Sequence, residues 1–173
     1  MTVLDPQRTS LALVDLMPRL LDLDIAPHSG AAVLATSIAL AEDARKAGVP
    51  VVAIRVERPN VDEQPPGSEL TEAIAELADA VVIKRSIGGF YNTELEATLK
   101  RLGAETLVMA GIMTNLGVES TARAASDHGY ELVFVKDAMS ALTLAEHEAA
   151  VNLNLPRFGE VITAADLSWH SES

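Results

Sequence analysis

Apolar positions change period along the chain in a regular order. Residues 10–15, SLALVD, form a short apolar run of strand length that ends in an acid. Over residues 29–47, Val33, Ile38, Leu40, Ala44 and Ala47 recur at helical spacing, and Gly48 stops the helix. Residues 50–56 contain the β-branched run VVAIRV, and the polar, Pro- and Gly-containing stretch 59–68 reads as a loop. The pattern then predicts a short helix at 69–78, a strand at 80–83, a helix at 93–102 and a strand at 106–110. A helix at 114–128 stopped by Gly129, a strand at 131–135, a helix at 144–155 ended by Pro156 and a strand at 160–162 complete the series.

Strands and helices alternate, and most of the strands are apolar on both faces. Strands of that kind sit in a parallel sheet covered by helices on each side. No repeat, low-complexity tract or second compositional regime interrupts the series. The expected fold is α/β: one domain over 1–173, a three-layer sandwich around a six-stranded, mostly parallel, Rossmann-like sheet.

Composition sharpens this picture. Thirteen basic against 25 acidic residues give a formal charge of −12, which repels phosphate backbones and argues against nucleic-acid and anionic-membrane partners. The longest apolar run, 107–113, falls far short of the roughly 20 residues of a membrane span, and the N-terminus does not read as a signal peptide. A cytoplasmic location is expected. The count of cysteines is zero, which excludes disulfides, thiolate metal sites and a cysteine nucleophile. With 3% aromatics the core must be aliphatic.

In open α/β sheets, ligands bind beyond the carboxyl ends of the strands. The strand-end residues are Asp15, Arg55 with Glu57, Lys84 with Arg85, the segment 111–114, and Asp137. An acid and a lysine at neighbouring strand ends could form a buried pair in which each tunes the other. Other motifs are missing: no phosphate-binding loop, no dinucleotide fingerprint, and no second His to complete a metalloprotease helix at His147-Glu148. The four histidines, His28, His128, His147 and His170, are scattered with no ligand spacing, so no metal or other cofactor is expected. His128 reads as a helix C-terminal cap. Glu119 and Arg123 read as a surface ion pair, and Met17, Met109, Met113 and Met139 as core filler.

Three segments carry a resemblance: ALVDLMPRLLDL at 12–23, KRSIGGFYNTELEATLKRLGAETLVMAGIMTNLGVESTARAASDHGYELVFVKDAMSA at 84–141, and PRFGEV at 156–161. Together they resemble the isochorismatase-like hydrolase superfamily over nearly the whole chain. Most members of that superfamily are amidohydrolases with an Asp, Lys, Cys triad. The resemblance puts Asp15 in the acid/base place and Lys84 in the lysine place, and the nucleophile's place falls on Gly117. A glycine cannot form an acyl-enzyme. The same glycine occurs in the namesake enzymes, which cleave a vinyl ether, and in a branch that this chain resembles more closely.

The resemblance therefore implies a hydrolase without a cysteine nucleophile, acting on a small carboxylate-bearing molecule. Asp15 would be the proton donor, and Lys84 would hold Asp15 and contact the anionic substrate. Gly117 would leave room and offer its backbone N–H. Met17, Leu20, Phe90, Ile112, Met113, Thr114 and Asn115 would form the substrate pocket, with a cis peptide at Ile112-Met113. The resemblance also implies a homodimer or homotetramer. The alternative is a catalytically inactive relative that binds a metabolite or serves as a scaffold.

Overall fold

The computed structural model describes residues 1–170. Six parallel strands form the central sheet: β2 (Thr9–Val14), β3 (Val51–Val56), β4 (Ala80–Lys84), β5 (Thr106–Ile112), β6 (Glu131–Ser140) and β7 (Glu160–Ile162). Their spatial order is β4-β3-β2-β5-β6-β7. The chain thus builds outward from β2 in one direction, returns, and builds outward from β5 in the other. The switch point lies between β2 and β5, where a doubly wound sheet opens its ligand crevice.

Alternation along β2 sends Leu11 and Leu13 to one face and Ala12 and Val14 to the other. The first face is covered by α2 (Gly30–Lys46) and α3 (Glu72–Leu77), through Val33, Leu40, Ala44 and Ile74. The second is covered by α4 (Leu95–Arg101) and α5 (Glu119–Asp127), through Leu95, Leu99, Ala122 and Ala125. Ser29 caps α2, its hydroxyl accepting from the Ala32 N–H. Both faces are aliphatic apart from Phe134, as the scarcity of aromatics requires.

Four features depart from the pattern. A second, two-stranded parallel sheet joins β1 (Thr2–Leu4) to β8 (Leu167–Trp169); strands this short have no period to detect. Pro18, placed at the start of α1 (Pro18–Leu21), opens a single helical turn directly after β2. Finally, neither long helix after β5 is a plain α-helix. A π-helical turn, Thr114–Val118, precedes α5, and another, Ala150–Asn154, follows α6 (Leu144–Ala149). Strand β6 also runs on to Ser140, past the expected 135, because its register against β5 shifts between Met109 and Gly111.

Candidate active site

Asp15 follows the last residue of β2 with φ +54°, in the left-handed region that a non-glycine residue enters at a cost. Its N–H still donates to Ile54 O (2.7 Å), and its own carbonyl accepts from the Met17 N–H (2.8 Å). The backbone thus leaves the sheet abruptly and delivers the carboxyl to the crevice. On β4, alternation turns Val81 and Ile83 outward and Val82 and Lys84 inward. Lys84 reaches across the end of β3, and its Nζ lies 2.9 Å from Asp15 Oδ2. Both side chains are almost wholly enclosed.

The third component comes from β5. Gly111 has φ +119°, and a Cβ there would fall 2.1 Å from Val14 O, so only glycine lets β5 run this close to β2. The Ile112–Met113 peptide is cis. The π-helical turn follows, with the N–H groups of Leu116 and Val118 both donating to Met113 O. It brings Gly117 against the acid: a Cβ on Gly117 would stand 3.0 Å from Asp15 Oδ2. Asp15, Lys84 and Gly117 line one cavity of about 360 Å³.

The electrostatics of the pair are unequal. Lys84 spends all three hydrogens within the protein, on Asp15 Oδ2, on Ile87 O (2.8 Å) and on Ser86 O (3.3 Å). None remains for a substrate anion, which departs from the role expected of it. Asp15 has one oxygen satisfied, while Oδ1 is buried without a hydrogen-bond partner among the described residues. Burial pushes the Asp15 carboxyl above its ordinary range; Lys84, and more weakly Arg19 and the Val56 N–H, pull it back without cancelling the rise. A proton carried by this carboxyl therefore belongs on Oδ1.

Of the other pocket residues expected, Leu20 and Met113 line the cavity. Met113 is thus not simply core filler. Met17 and Ile112 are sealed in the interior. Thr114 is also buried, its hydroxyl 2.8 Å from His147 Nδ1, and Asn115 is not among the lining residues. Phe90 is elsewhere. Its loop runs along α5, with the Gly89 N–H donating to Thr121 Oγ1, and the ring stacks on His128 at 4.8 Å. That point is a helix length of about 16 Å from Gly117. Val56, Ile87 and Leu116 line the cavity instead, and the apolar pattern held no signal that separated them from core residues.

The Glu119–Arg123 pair is only half a surface pair: the Arg123 side chain is 55% exposed, but its partner is enclosed. Glu119 is 7% exposed and also accepts from Asn154 Nδ2 at 3.1 and 3.3 Å. His128 ends α5 and meets Glu96 Oε1 at 3.2 Å. Among the described residues, no three His, Asp or Glu side chains are grouped to hold a metal ion.

Comparison with known proteins bears on the same segments. The family model "Isochorismatase domain" matches residues 9–166. The isochorismatase family protein YecD of Escherichia coli O157:H7 is 35% identical, covering 96% of this chain and 98% of its own. A solved isochorismatase family protein from Burkholderia thailandensis superposes with a TM-score of 0.82 at 32% identity, over 95% of each chain. The ureidoacrylate amidohydrolase RutB of Variovorax paradoxus is 37% identical over 55% of this chain and 39% of its own.

Proposed function

The chain belongs to the isochorismatase family of hydrolases, and from that premise we propose that it hydrolyses a small carboxylate-bearing molecule of the vinyl-ether type without a covalent nucleophile. The observation that carries this reading is the state of Asp15. It is a buried carboxyl whose Lys84-bound oxygen lies against a glycine, where an amidohydrolase of this family would need a thiol, and whose other oxygen is unpartnered.

Asp15 donates its proton to the terminal enol carbon of the substrate. The C=C electrons form the new C–H bond, and the ether oxygen shares its lone pair to give an oxocarbenium ion. Water adds to that cation and returns a proton to Asp15, and the hemiketal collapses to a ketone and an alcohol. Lys84 stabilises the carboxylate left after the first transfer and keeps the proton on Oδ1, so its charge acts where charge develops. Gly117 leaves space for the reacting group beside Asp15.

Pyruvate release from isochorismate is the first assay, with Asp15→Asn as the control. The asparagine variant is expected to lose at least about a hundredfold in rate, the usual contribution of a positioned acid. Equal turnover by Asp15→Asn would overturn the mechanism. Ligand binding with no turnover across a panel of enol ethers would favour an inactive metabolite-binding protein.

A further inference from the structure

Three cationic residues are less than about a third exposed among the described residues: Lys84, Arg55 and Arg19. Lys84 is neutralised by Asp15, and Arg55 by Glu57 at 2.9 Å and Glu69 at 3.7 Å. Arg19 forms no ion pair and no side-chain hydrogen bond among the described residues, its charge reaches Asp15 only weakly, and its Nε is buried. In a chain with 25 acids to 13 bases, an unpaired arginine held partly out of water is anomalous, since a desolvated charge is costly without a counter-charge.

Its place in the fold suggests what the counter-charge is. Arg19 lies on α1, the turn that Asp15 launches, and its neighbour Leu20 lines the Asp15 cavity. The Arg19 N–H donates to Gly67 O at 3.1 Å, and Gly67, with φ +77°, lets the 57–71 loop close onto Arg19. The side chain is therefore held on a backbone fixed from both sides. Of the cations that line the cavity, Lys84 is spent as described and Arg85 is largely exposed and pairs with Glu57 at 2.8 Å; Arg19 stands beside the lining residue Leu20.

The geometry points to Arg19 as the residue that binds the carboxylate of the substrate. Its planar fork matches a carboxylate with two parallel hydrogen bonds. This rests on the hydrolase reading above and supplies the substrate anion with the cation that Lys84 cannot be.

The test uses three probes: 2-methoxyacrylate, its methyl ester, and the saturated, unreactive 2-methoxypropanoate. Hydrolysis of the first is read as pyruvate, and binding of the third by titration calorimetry. Arg19→Gln is expected to weaken 2-methoxypropanoate binding roughly tenfold or more and to lower the acid-to-ester ratio of kcat/KM by a similar factor. Arg19→Lys should recover part of both, and neither variant should melt earlier, because no native pair is broken. Equal binding of 2-methoxypropanoate by wild type and Arg19→Gln overturns the assignment, as does its failure to bind wild type, or an equal loss for acid and ester. If 2-methoxypropanoate binds through Arg19 while 2-methoxyacrylate is not hydrolysed, the hydrolase reading fails and the carboxylate site stands.

Discussion

Lys84 Nζ stands 2.9 Å from Asp15 Oδ2, and neither side chain is more than 6% exposed. Two strands separate in sequence place these groups together because β4 and β2 flank β3 in one parallel sheet. The pair is not a symmetrical ion pair. Lysine is held by three acceptors, whereas the acid keeps an oxygen with no partner, and burial drives its affinity for a proton upward.

A pH dependence of definite sign follows. The Asp15 pKa is raised on folding, so its contribution to stability is complete below the unfolded value of 3.8 and is lost as pH rises through the folded value. Catalysis by the protonated acid has the same sign and falls along an alkaline limb. Lys84→Met removes the strongest downward pull, and the Asp15 titration should move to higher pH. The carboxyl 13C shift of Asp15, followed in wild type and variant, reads this directly. An unmoved titration would mean that Lys84 does not tune the acid.

At Gly117 the expectation is steric. A Cβ would meet Asp15 Oδ2 at 3.0 Å, Val14 Cγ1 at 3.1 Å and Ile112 O at 3.3 Å. Each contact is tight but can yield by a few tenths of an ångström. Gly117→Ala should fold with a loss of about 1–2 kcal/mol and lose turnover, because the methyl takes the space in front of the acid. Gly117→Cys should cost about the same and place a thiol beside Asp15, giving hydrolysis of simple amides such as nicotinamide. Folded Gly117→Cys with no amidase activity would show that more than the nucleophile separates this site from the amidohydrolases.

The sheet was legible because strands buried on both faces and helices buried on one give different periods. Asp15 and Lys84 stood out through the family resemblance rather than the pattern: strand-end charges are usually solvated or cap loops, and only the spatial order of β2, β3 and β4 brings these two together. The rest depended on relations that one-dimensional pattern does not carry. Phe90 sits in a motif, yet its loop follows α5 away from the cavity and spends the ring on His128. Arg19 sits in a run that resembles a family segment, but its lack of an ion pair among the described residues is visible only once their acids have been placed. The π-helical turn that seats Gly117 has the same composition as the first turn of an α-helix.

Glu119 offers a prediction that separates a buried pair from a surface one. Its carboxylate accepts from Arg123 Nε and Nη2 (3.1 and 2.9 Å) and from Asn154 Nδ2, tying α5 to the second π-helical turn. Arg123→Ala leaves an enclosed carboxylate with the amide alone and should cost about 2 kcal/mol. Lys100→Ala, which breaks the exposed pair with Glu96, should change stability very little. Urea unfolding of both variants distinguishes the cases, and equal midpoints would return Glu119–Arg123 to the surface.

His147 gives the acid side of the stability profile. It is 5% exposed, and burial lowers its pKa from 6.5 to about 4, helped by the nearby charges of His28 and Lys136. The ring is thus neutral at pH 7. The Thr114 hydroxyl is hydrogen-bonded to Nδ1 at 2.8 Å, and Thr114 begins the turn that carries Gly117. A lowered histidine pKa means that the folded state binds fewer protons than the unfolded one. Its contribution is therefore complete above pH 6.5 and is lost as pH falls from 6.5 toward about 4, up to about 3 kcal/mol in all. His147→Gln keeps a partner for Thr114 and cannot titrate, so the difference in stability between wild type and this variant should shift against wild type between pH 7 and pH ~4.5. His147→Ala should instead lose about 2–4 kcal/mol at pH 7, through a cavity and an orphaned hydroxyl. Denaturant titrations at the two pH values decide it: a wild-type-minus-Gln difference that stays constant would show that His147 takes up its proton in the fold as readily as in water.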